Sequence, residues 1–473
     1  MSSSLADNIL PGQVVNYSDF SYISSIAVGF DYIYFGATNG ITRYNVKTGQ
    51  WADPMTGIAG FSGENIREIR ASRDDNFIWA RTDNGSYEYN GAFGYWNSVD
   101  TFPDKQVSGR HLQPGPSYIP PFGYNYISSG SLIDEYGKKF PITDIVDDGW
   151  SNLWIGTWGL GALHSDISIL RLEILQFGLL QENVSTIYLD NGILYLGGES
   201  RNSYRTGITI FDWHNNDFDY VETEGTFVSR AENVNDLAAD DEKIYAATDN
   251  GILVIDKKSL KITDRLRRSS GLSVNQVTTI LVSGDTLFAG TAFGLNLLRL
   301  KPDTSGKDTK TMLSSLSISC LDKVDDAIWI GASGGAYRLD LKSAKLNLLS
   351  APEISDKDQI YDITHSSDAV WLALENNLIS INLQTADIAS YPEANNYGGA
   401  RKIAIKDSTL AVATTNGLLI FTLGAKTRRQ LFTKDDGLLS LDIGDMAFDG
   451  DYLWLGSDRG LTRFWYKNPA LAR

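Results

Sequence analysis

Leu153-Trp154-Ile155-Gly156-Thr157-Trp158-Gly159-Leu160-Gly161 carries the reading of the whole chain. An apolar run with an aromatic second residue ends on a small residue, turns through polar residues and Gly, and starts a new apolar run. The run has no helical period and lies between turn signals, which marks a short strand buried on both faces. The pattern recurs as Ile33-Tyr34-Phe35-Gly36, Ile78-Trp79-Ala80-Arg81, Leu194-Tyr195-Leu196-Gly197, Ile244-Tyr245-Ala246-Ala247 and Leu287-Phe288-Ala289-Gly290. It continues as Ile328-Trp329-Ile330-Gly331, Val370-Trp371-Leu372-Ala373, Leu410-Ala411-Val412-Ala413 and Leu453-Trp454-Leu455-Gly456. Successive starts lie about 40 to 50 residues apart, with one gap of about 75 between the second and third copies.

That period, with turns on either side of each strand, predicts an all-β chain folded as a β-propeller of about ten four-stranded blades. The fifth copy shows the unit: Val234–Ala238, Lys243–Ala247, Ile252–Ile255 and Lys261–Asp264 are its strands A to D. Asp240-Asp241-Glu242 and Thr248-Asp249-Asn250-Gly251 are the hairpin turns between them. The small residue that ends strand B lets the adjacent sheet approach. The aromatic positions of the repeat are read as packing.

The last copy stops at Lys467-Asn468-Pro469 after strand C, Leu461–Trp465, without a fourth strand. Gln13-Val14-Val15-Asn16-Tyr17 is strand-like and belongs to no copy. Residues near 13–18 are therefore expected to pair with strand C of the last blade, which would remove an exposed sheet edge and close a single ring. Two smaller propellers sharing the chain are the alternative. On this reading residues 1–12 are a flexible N-terminal segment and 13–473 the propeller, with an insertion at 97–140 on the channel-mouth face.

Composition agrees. Of 473 residues, 42% are hydrophobic and 44 are Gly against 12 Pro, enough core and enough tight turns for an all-β protein. The net charge of −17 argues against a nucleic-acid partner or an anionic membrane surface, both of which need a basic footprint. Cys320 is the single cysteine, so no intramolecular disulfide can form, and its apolar neighbours predict a buried thiol. No stretch approaches the roughly 20 apolar residues of a membrane span. Met1-Ser2-Ser3-Ser4-Leu5-Ala6-Asp7 has no export-signal pattern, which leaves a cytoplasmic chain or an exported one whose signal is absent here.

The Leu153–Gly161 stretch and Leu453-Trp454-Leu455-Gly456-Ser457-Asp458-Arg459-Gly460-Leu461 resemble the LWIGT-x-x-GL core of two-component-regulator propeller repeats. Ser270-Gly271-Leu272 before Val277-Thr278-Thr279-Ile280, and Asp436-Gly437-Leu438 before Ile443-Gly444-Asp445-Met446, match its leading elements. The resemblance covers nearly the whole chain. In that family the propellers form the extracytoplasmic input portion of hybrid sensor kinases, often reading out carbohydrate, or stand free as exported proteins. No kinase portion follows Arg473, so the chain looks like a free-standing member or an excised propeller, and the family's location implies a periplasmic or secreted bacterial protein.

Function is expected where the repeat is broken. D-to-A and B-to-C connections of a propeller emerge on one face. The 97–140 insertion, with Tyr118, Phe122, Tyr124 and Tyr126, falls mainly in a D-to-A connection. Glu199, Arg201 and Tyr204 lie in the long B-to-C turn of the fourth copy, and Trp158, Phe293 and Arg459 in B-to-C turns of the third, sixth and tenth. These ten residues are the candidate ligand-binding set, since aromatic faces stack on sugar rings or prolines while Arg and Glu fix polar groups. The competing reading makes the insertion a plug over a channel too wide for side chains to fill.

Catalysis finds little support. His111, His164, His214 and His365 are scattered among copies without metal-ligand spacing, and no Gly-rich phosphate loop is present. Asp147-Asp148, Asp240-Asp241, Asp325-Asp326 and Asp449-Gly450-Asp451 all fall at A-to-B turns and read as turn formers, with weak Ca²⁺ binding as the alternative and no other cofactor expected. The leading expectation is a non-enzymatic binding or scaffold protein for a glycan or protein partner. A glycan lyase or hydrolase, with Glu199, Asp134 and Glu135 as its nearest carboxylates, is the second reading. A structural subunit of a surface assembly is the third.

Overall fold

A computed structural model describes residues 14–57, 65–103, 109–115, 118–127, 129–199, 205–223, 232–300, 309–375, 377–424 and 428–468. It is a multi-blade β-propeller in which each of the ten repeats forms an antiparallel sheet in the order A-B-C-D. Numbering blades I to X along the chain, strand A of each is Ile23–Val28, Glu68–Ala71, Lys139–Asp147, Thr186–Asp190, Val234–Ala239, Val277–Ser283, Ile318–Val324, Ile360–His365, Lys402–Lys406 and Ile443–Asp449. Strand B of blades VII and VIII, Ala327–Ala332 and Ala369–Leu374, is buried at every position, as the repeat demands. Blade X has only three strands of its own. Val14–Tyr17 supplies the fourth, antiparallel to Gly460–Phe464 with Val14 opposite Phe464 and Tyr17 opposite Leu461. The expected N-terminal closure of the last blade is therefore present.

The small residue ending strand B shows which blade follows which. A Cβ on Gly197 of blade IV would lie 2.4 Å from Val234 of blade V, and one on Gly331 of blade VII would lie 2.9 Å from Ile360 of blade VIII. By the same contact Gly456 of blade X meets Val184, which leads into blade IV, and Gly156 of blade III meets Ile23 of blade I, at 2.8 and 2.6 Å. Strand-A side chains repeat the message. Asp236 of blade V accepts the Ile280 N–H of blade VI at 2.8 Å, Asp445 of blade X accepts Ile187 N–H of blade IV at 2.7 Å, and Asp144 of blade III accepts Ile26 N–H of blade I at 2.9 Å.

Blades IV to X thus close one ring, and blades III, I and II, in that spatial order, form a separate arc. The expectation of a single ten-bladed ring is corrected; of the alternative, two smaller propellers, the packing shows one closed ring of seven blades, the other three blades forming an open arc. The repeat specifies a face that accepts a neighbour and does not encode which copy the neighbour is. Seven sheets complete the circuit, with blade X packed against blade IV.

The arc finishes its two open ends differently. On blade III the outward flank is covered by the chain's own insertion, through Tyr124–Ile127 and Ser131–Asp134, which extend the sheet, and Arg110–His111, which pairs with strand A. On blade II the outward flank is charged: Glu68 pairs with Arg70 and Arg81 at 2.7 and 3.0 Å, and Phe102 covers both guanidiniums. Terminal repeats of stacked arrays need such a finished outer surface. Accordingly Trp79, the aromatic position of blade II, is only half-buried and donates to Glu88 at 2.8 Å, whereas Trp154, Trp329, Trp371 and Trp454 are core.

Arc and ring meet along an aromatic seam. Trp51 of blade I stacks on Phe177 at 4.6 Å, Phe177 meets Phe218 of blade IV edge-on, and Phe218 stacks on Phe211, which contacts Tyr17 and Trp454. At its rim Asp53 of blade I accepts from the Tyr17 hydroxyl at 2.8 Å and pairs with Arg463 of blade X at 2.7 Å. Burial and the Asp53 charge together push the Tyr17 hydroxyl pKa well above its usual value.

Two outcomes follow from this packing. Gly456→Ala should cost about 1–3 kcal/mol in urea unfolding, since its Cβ would meet the Val184 carbonyl across the closure seam; wild-type stability would contradict the neighbouring of X and IV. Asp53→Ala should cost about 1–3 kcal/mol, toward the low end because Asp53 keeps solvent access, and should make blades I to III the first part cut in limited proteolysis.

Candidate functional site

The structure sorts the candidate residues into three groups. Tyr118, Tyr124 and Tyr126 join the apolar cluster on the outward flank of blade III with Leu132, Phe140, Ile145 and Leu153. Tyr118 and Tyr126 meet edge-on at 5.4 Å, and the Tyr126 hydroxyl donates to the Gly115 carbonyl at 2.6 Å. These tyrosines cover a blade flank. Phe122, at the tip of the same segment, is fully exposed. Phe293 is exposed on blade VI, two blades round the ring from blade IV. Arg201 and Tyr204 lie outside the described residues.

Trp158, Glu199 and Arg459 behave differently. They come from blades III, IV and X, and each leans on one of two chain segments at the arc–ring junction, Ser18–Tyr22 and Leu179–Asn183. Trp158 is half-exposed and edge-on to Tyr22 at 5.3 Å, and the next residue's N–H, of Gly159, donates to the Ser21 carbonyl at 2.9 Å. The Ser18 hydroxyl donates to the Arg459 carbonyl at 3.2 Å. The Glu199 N–H donates to Asn183 Oδ1 at 3.0 Å.

Between these supports lies a polar cluster that sequence reading missed. The Asp19 carboxylate is buried and accepts from both the N–H and the hydroxyl of Ser21, at 2.9 and 2.5 Å. Burial raises its pKa to about 6. Asn39 bridges the Asp19 carbonyl and Glu182 Oε1 at 2.9 and 2.7 Å. Arg205 pairs with Glu222 at 2.7 Å, lies over the Tyr220 ring at 5.0 Å, and is within electrostatic reach of both Asp19 and Tyr124. Tyr124 of the 97–140 insertion and Arg205 of the long B-to-C turn thus lie within electrostatic reach of one another. Gln181 is buried, its Oε1 accepts from Gly207 N–H, and its Nε2 has no acceptor among the described residues. No repeat signal marks Asp19 or Gln181, because both sit in connections whose neighbours are set only by the arc–ring docking.

A second set of ionisable groups lines the axis of the ring. Lys402 of blade IX lies 3.8 Å from Asp362 of blade VIII and within reach of Asp445, Asp236 and Cys320. Burial raises the carboxyls of Asp236, Asp362 and Asp445, the last to about 6, while Lys402 acts in the opposite sense on all three. The Cys320 thiol is buried, and burial pushes its pKa up. Each carboxylate accepts the strand-A N–H of the next blade, so these groups staple the ring.

The A-to-B turn aspartates hold turns. Asp148 accepts from Trp150 N–H, Asn152 and the Trp154 indole, and Asp240 from Glu242 N–H, Lys243 N–H and the Tyr245 hydroxyl. Asp134 does the same for Tyr136 and Lys138 N–H. Among the described residues no group of three or more His, Cys, Asp or Glu is placed to hold a metal, and no helix is long and apolar enough to cross a membrane.

No protein family and no curated protein matches the chain. Solved structures do match. The extracellular domain of a protein assigned to the hybrid two-component systems of B. thetaiotaomicron is 15% identical, over 96% of this chain and 71% of that one, with a TM-score of 0.50. PorZ, a bacterial surface component of the type-IX secretion system of Porphyromonas gingivalis, is 12% identical over 95% of this chain and 69% of its own, with a TM-score of 0.49. At this identity the first likeness is one of fold, and it agrees with the propeller read from the repeats.

The axial staple predicts a pH dependence. Between pH 3.8 and about 6 the folded chain keeps a proton on Asp445 that the unfolded chain releases. Stability from this group is full below the lower value and is lost as pH rises through the upper one. Asp445→Asn should flatten the decline in denaturation midpoint across that window; a wild-type slope in the variant would remove Asp445 as its source.

Proposed function

We propose that this chain is a non-enzymatic binding propeller, an exported bacterial recognition module that holds a glycan or a protein partner at the loop-face junction of arc and ring. The observation that carries the reading is the convergence of Trp158, Glu199 and Arg459, from three blades, on the segments Ser18–Tyr22 and Leu179–Asn183. A half-exposed indole beside buried and exposed carboxylates, an arginine and a buried amide offers an apolar face with hydrogen-bonding groups around it. That is the chemistry that polyhydroxylated rings and polar peptide segments share as ligands. The fold is shared with an extracellular domain assigned to a sensor system, which supports an exported binding role over catalysis.

A glycan array followed by calorimetry tests the reading. A ligand should emerge whose affinity falls about tenfold or more in Trp158→Ala, equivalent to about 1.4 kcal/mol, with the thermal midpoint unchanged. Retained affinity in Trp158→Ala and Arg459→Ala would place the site elsewhere. Turnover of any glycan on the array would replace the binding role with an enzymatic one.

A further inference from the structure

The carboxylates that join one blade to the next share one position in the repeat. Asp144, Asp236, Asp362 and Asp445 each stand in strand A opposite the small residue that ends strand B, namely Gly156, Ala247, Ala373 and Gly456. In the ring Lys402 holds the same position of blade IX, opposite Ala413, and is the cation within reach of Asp236, Asp362 and Asp445. The arc has no lysine there. Blade I carries Ser25, and blade II carries Glu68, which is paired with Arg70 and Arg81. That leaves Asp144, whose Oδ2 accepts the Ile26 N–H of blade I at 2.9 Å.

The insertion brings a partner to it. Arg110 lies opposite Asp147 and His111 opposite Val146 of strand A in blade III, and Leu112 N–H donates to the Ile145 carbonyl at 2.9 Å. Gly109 is wedged between blades: a Cβ there would lie 2.4 Å from Val146 of blade III and 3.2 Å from Val28 of blade I. From this strand His111 Nδ1 reaches Asp144 Oδ1 at 2.7 Å. One carboxylate therefore holds blade I through one oxygen and the insertion through the other. Among the described residues His111 is the only basic side chain paired with Asp144.

The two cations differ in kind. Lysine keeps its charge far above neutral pH, whereas histidine loses it near neutrality. His111 is 37% exposed, so water reaches it. The hydrogen bond to Asp144 raises its pKa above the usual 6.5 and burial opposes the rise; of the charges facing it from blade II, Glu68 adds to the rise and Arg70 subtracts. Strand A of blade I, Ile23–Val28, presents no charged residue. Because the folded value exceeds the unfolded one, protonated His111 contributes its full stabilisation below pH 6.5, and that contribution is lost as pH rises through the folded value.

We propose that His111 is a pH-sensitive latch of the arc. Protonated, it fastens residues 109–112 to Asp144 and, through Asp144, to blade I. Deprotonated, it lets that strand and the contact between blades III and I loosen, while Lys402 keeps its hold on the ring. The latch is independent of any ligand at the arc–ring junction.

Histidine-selective NMR and amide exchange of the full chain test it. The chain has four histidines, so the signal missing in His111→Gln identifies His111. In wild type that signal should titrate with a midpoint above 6.5, and in Asp144→Asn the midpoint should fall. Peptides covering 110–112 and 142–147, with each exchange rate divided by that of the unfolded chain at the same pH, should lose about threefold or more of their protection between about pH 6 and about pH 9. His111→Gln should show no such fall and should stay at the high-pH level of wild type throughout. The control His365→Gln, which removes the ring's pair with Asp322, should leave these peptides as in wild type. A His111 midpoint at or below 6.5, a midpoint unmoved in Asp144→Asn, protection constant with pH in wild type, or a fall that persists in His111→Gln overturns the latch.

Discussion

Everything in this molecule hangs on how closely the end of strand B in one blade can approach strand A of the next. Gly156, Gly197, Gly290, Gly331 and Gly456 each stand where a Cβ would fall within 3 Å of the following blade. Where the residue is Ala instead, as at Ala247, Ala373 and Ala413, it is still fully buried. This spacing lets β-branched side chains such as Val234, Ile318 and Ile360 fill the space between sheets. It also lets a short aspartate side chain span the gap to the neighbour's backbone. The hydrogen bonds of Asp144, Asp236, Asp362 and Asp445 depend on it. A larger residue at the end of strand B would separate the sheets and strand those carboxylates without their donors.

The same contact explains how one repeat builds two units. Each blade offers a following face and a preceding face, and a blade at the end of an array must do something with the face left over. In the ring, blade X turns its following face to blade IV and borrows Val14–Tyr17 to finish its own sheet. In the arc, blade II gives that face to Glu68, Arg70, Arg81 and Phe102, while blade III covers its preceding face with the insertion. Charge and apolar cover are alternative solutions to one problem, the cost of an unpaired apolar sheet face in water.

The candidate site is a by-product of joining these two units. Val14–Tyr17 belongs to the ring and Ile23–Val28 to the arc, so the short link between them crosses the junction and collects polar partners from both sides. Trp158, Glu199 and Arg459 could be singled out beforehand because they occupy B-to-C turns, which emerge on one face of a propeller. Asp19, Asn39 and Gln181 could not, since their significance lies in which distant segment they meet. Tyr118, Tyr124 and Tyr126 looked like binding residues for the same reason that they pack: aromatic rings in a Pro-rich segment need an apolar partner, and the flank of blade III supplies it.

The blades themselves were legible in the amino-acid pattern, down to the strands of blade V and the closure of blade X by the N-terminal strand. Strand period, turn residues and the small residue ending strand B are local properties, and a short window of sequence contains all of them. The grouping of blades into a seven-membered ring and a three-membered arc was decided only in three dimensions. Blade III's Gly156 ends strand B as the glycines of the other copies do, and only the folded chain brings Ile23 of blade I to it, at 2.6 Å from where a Cβ would stand. The arc–ring junction, with Asp53 shared between Tyr17 and Arg463, exists because that grouping exists, and no property of the separate repeats specifies it.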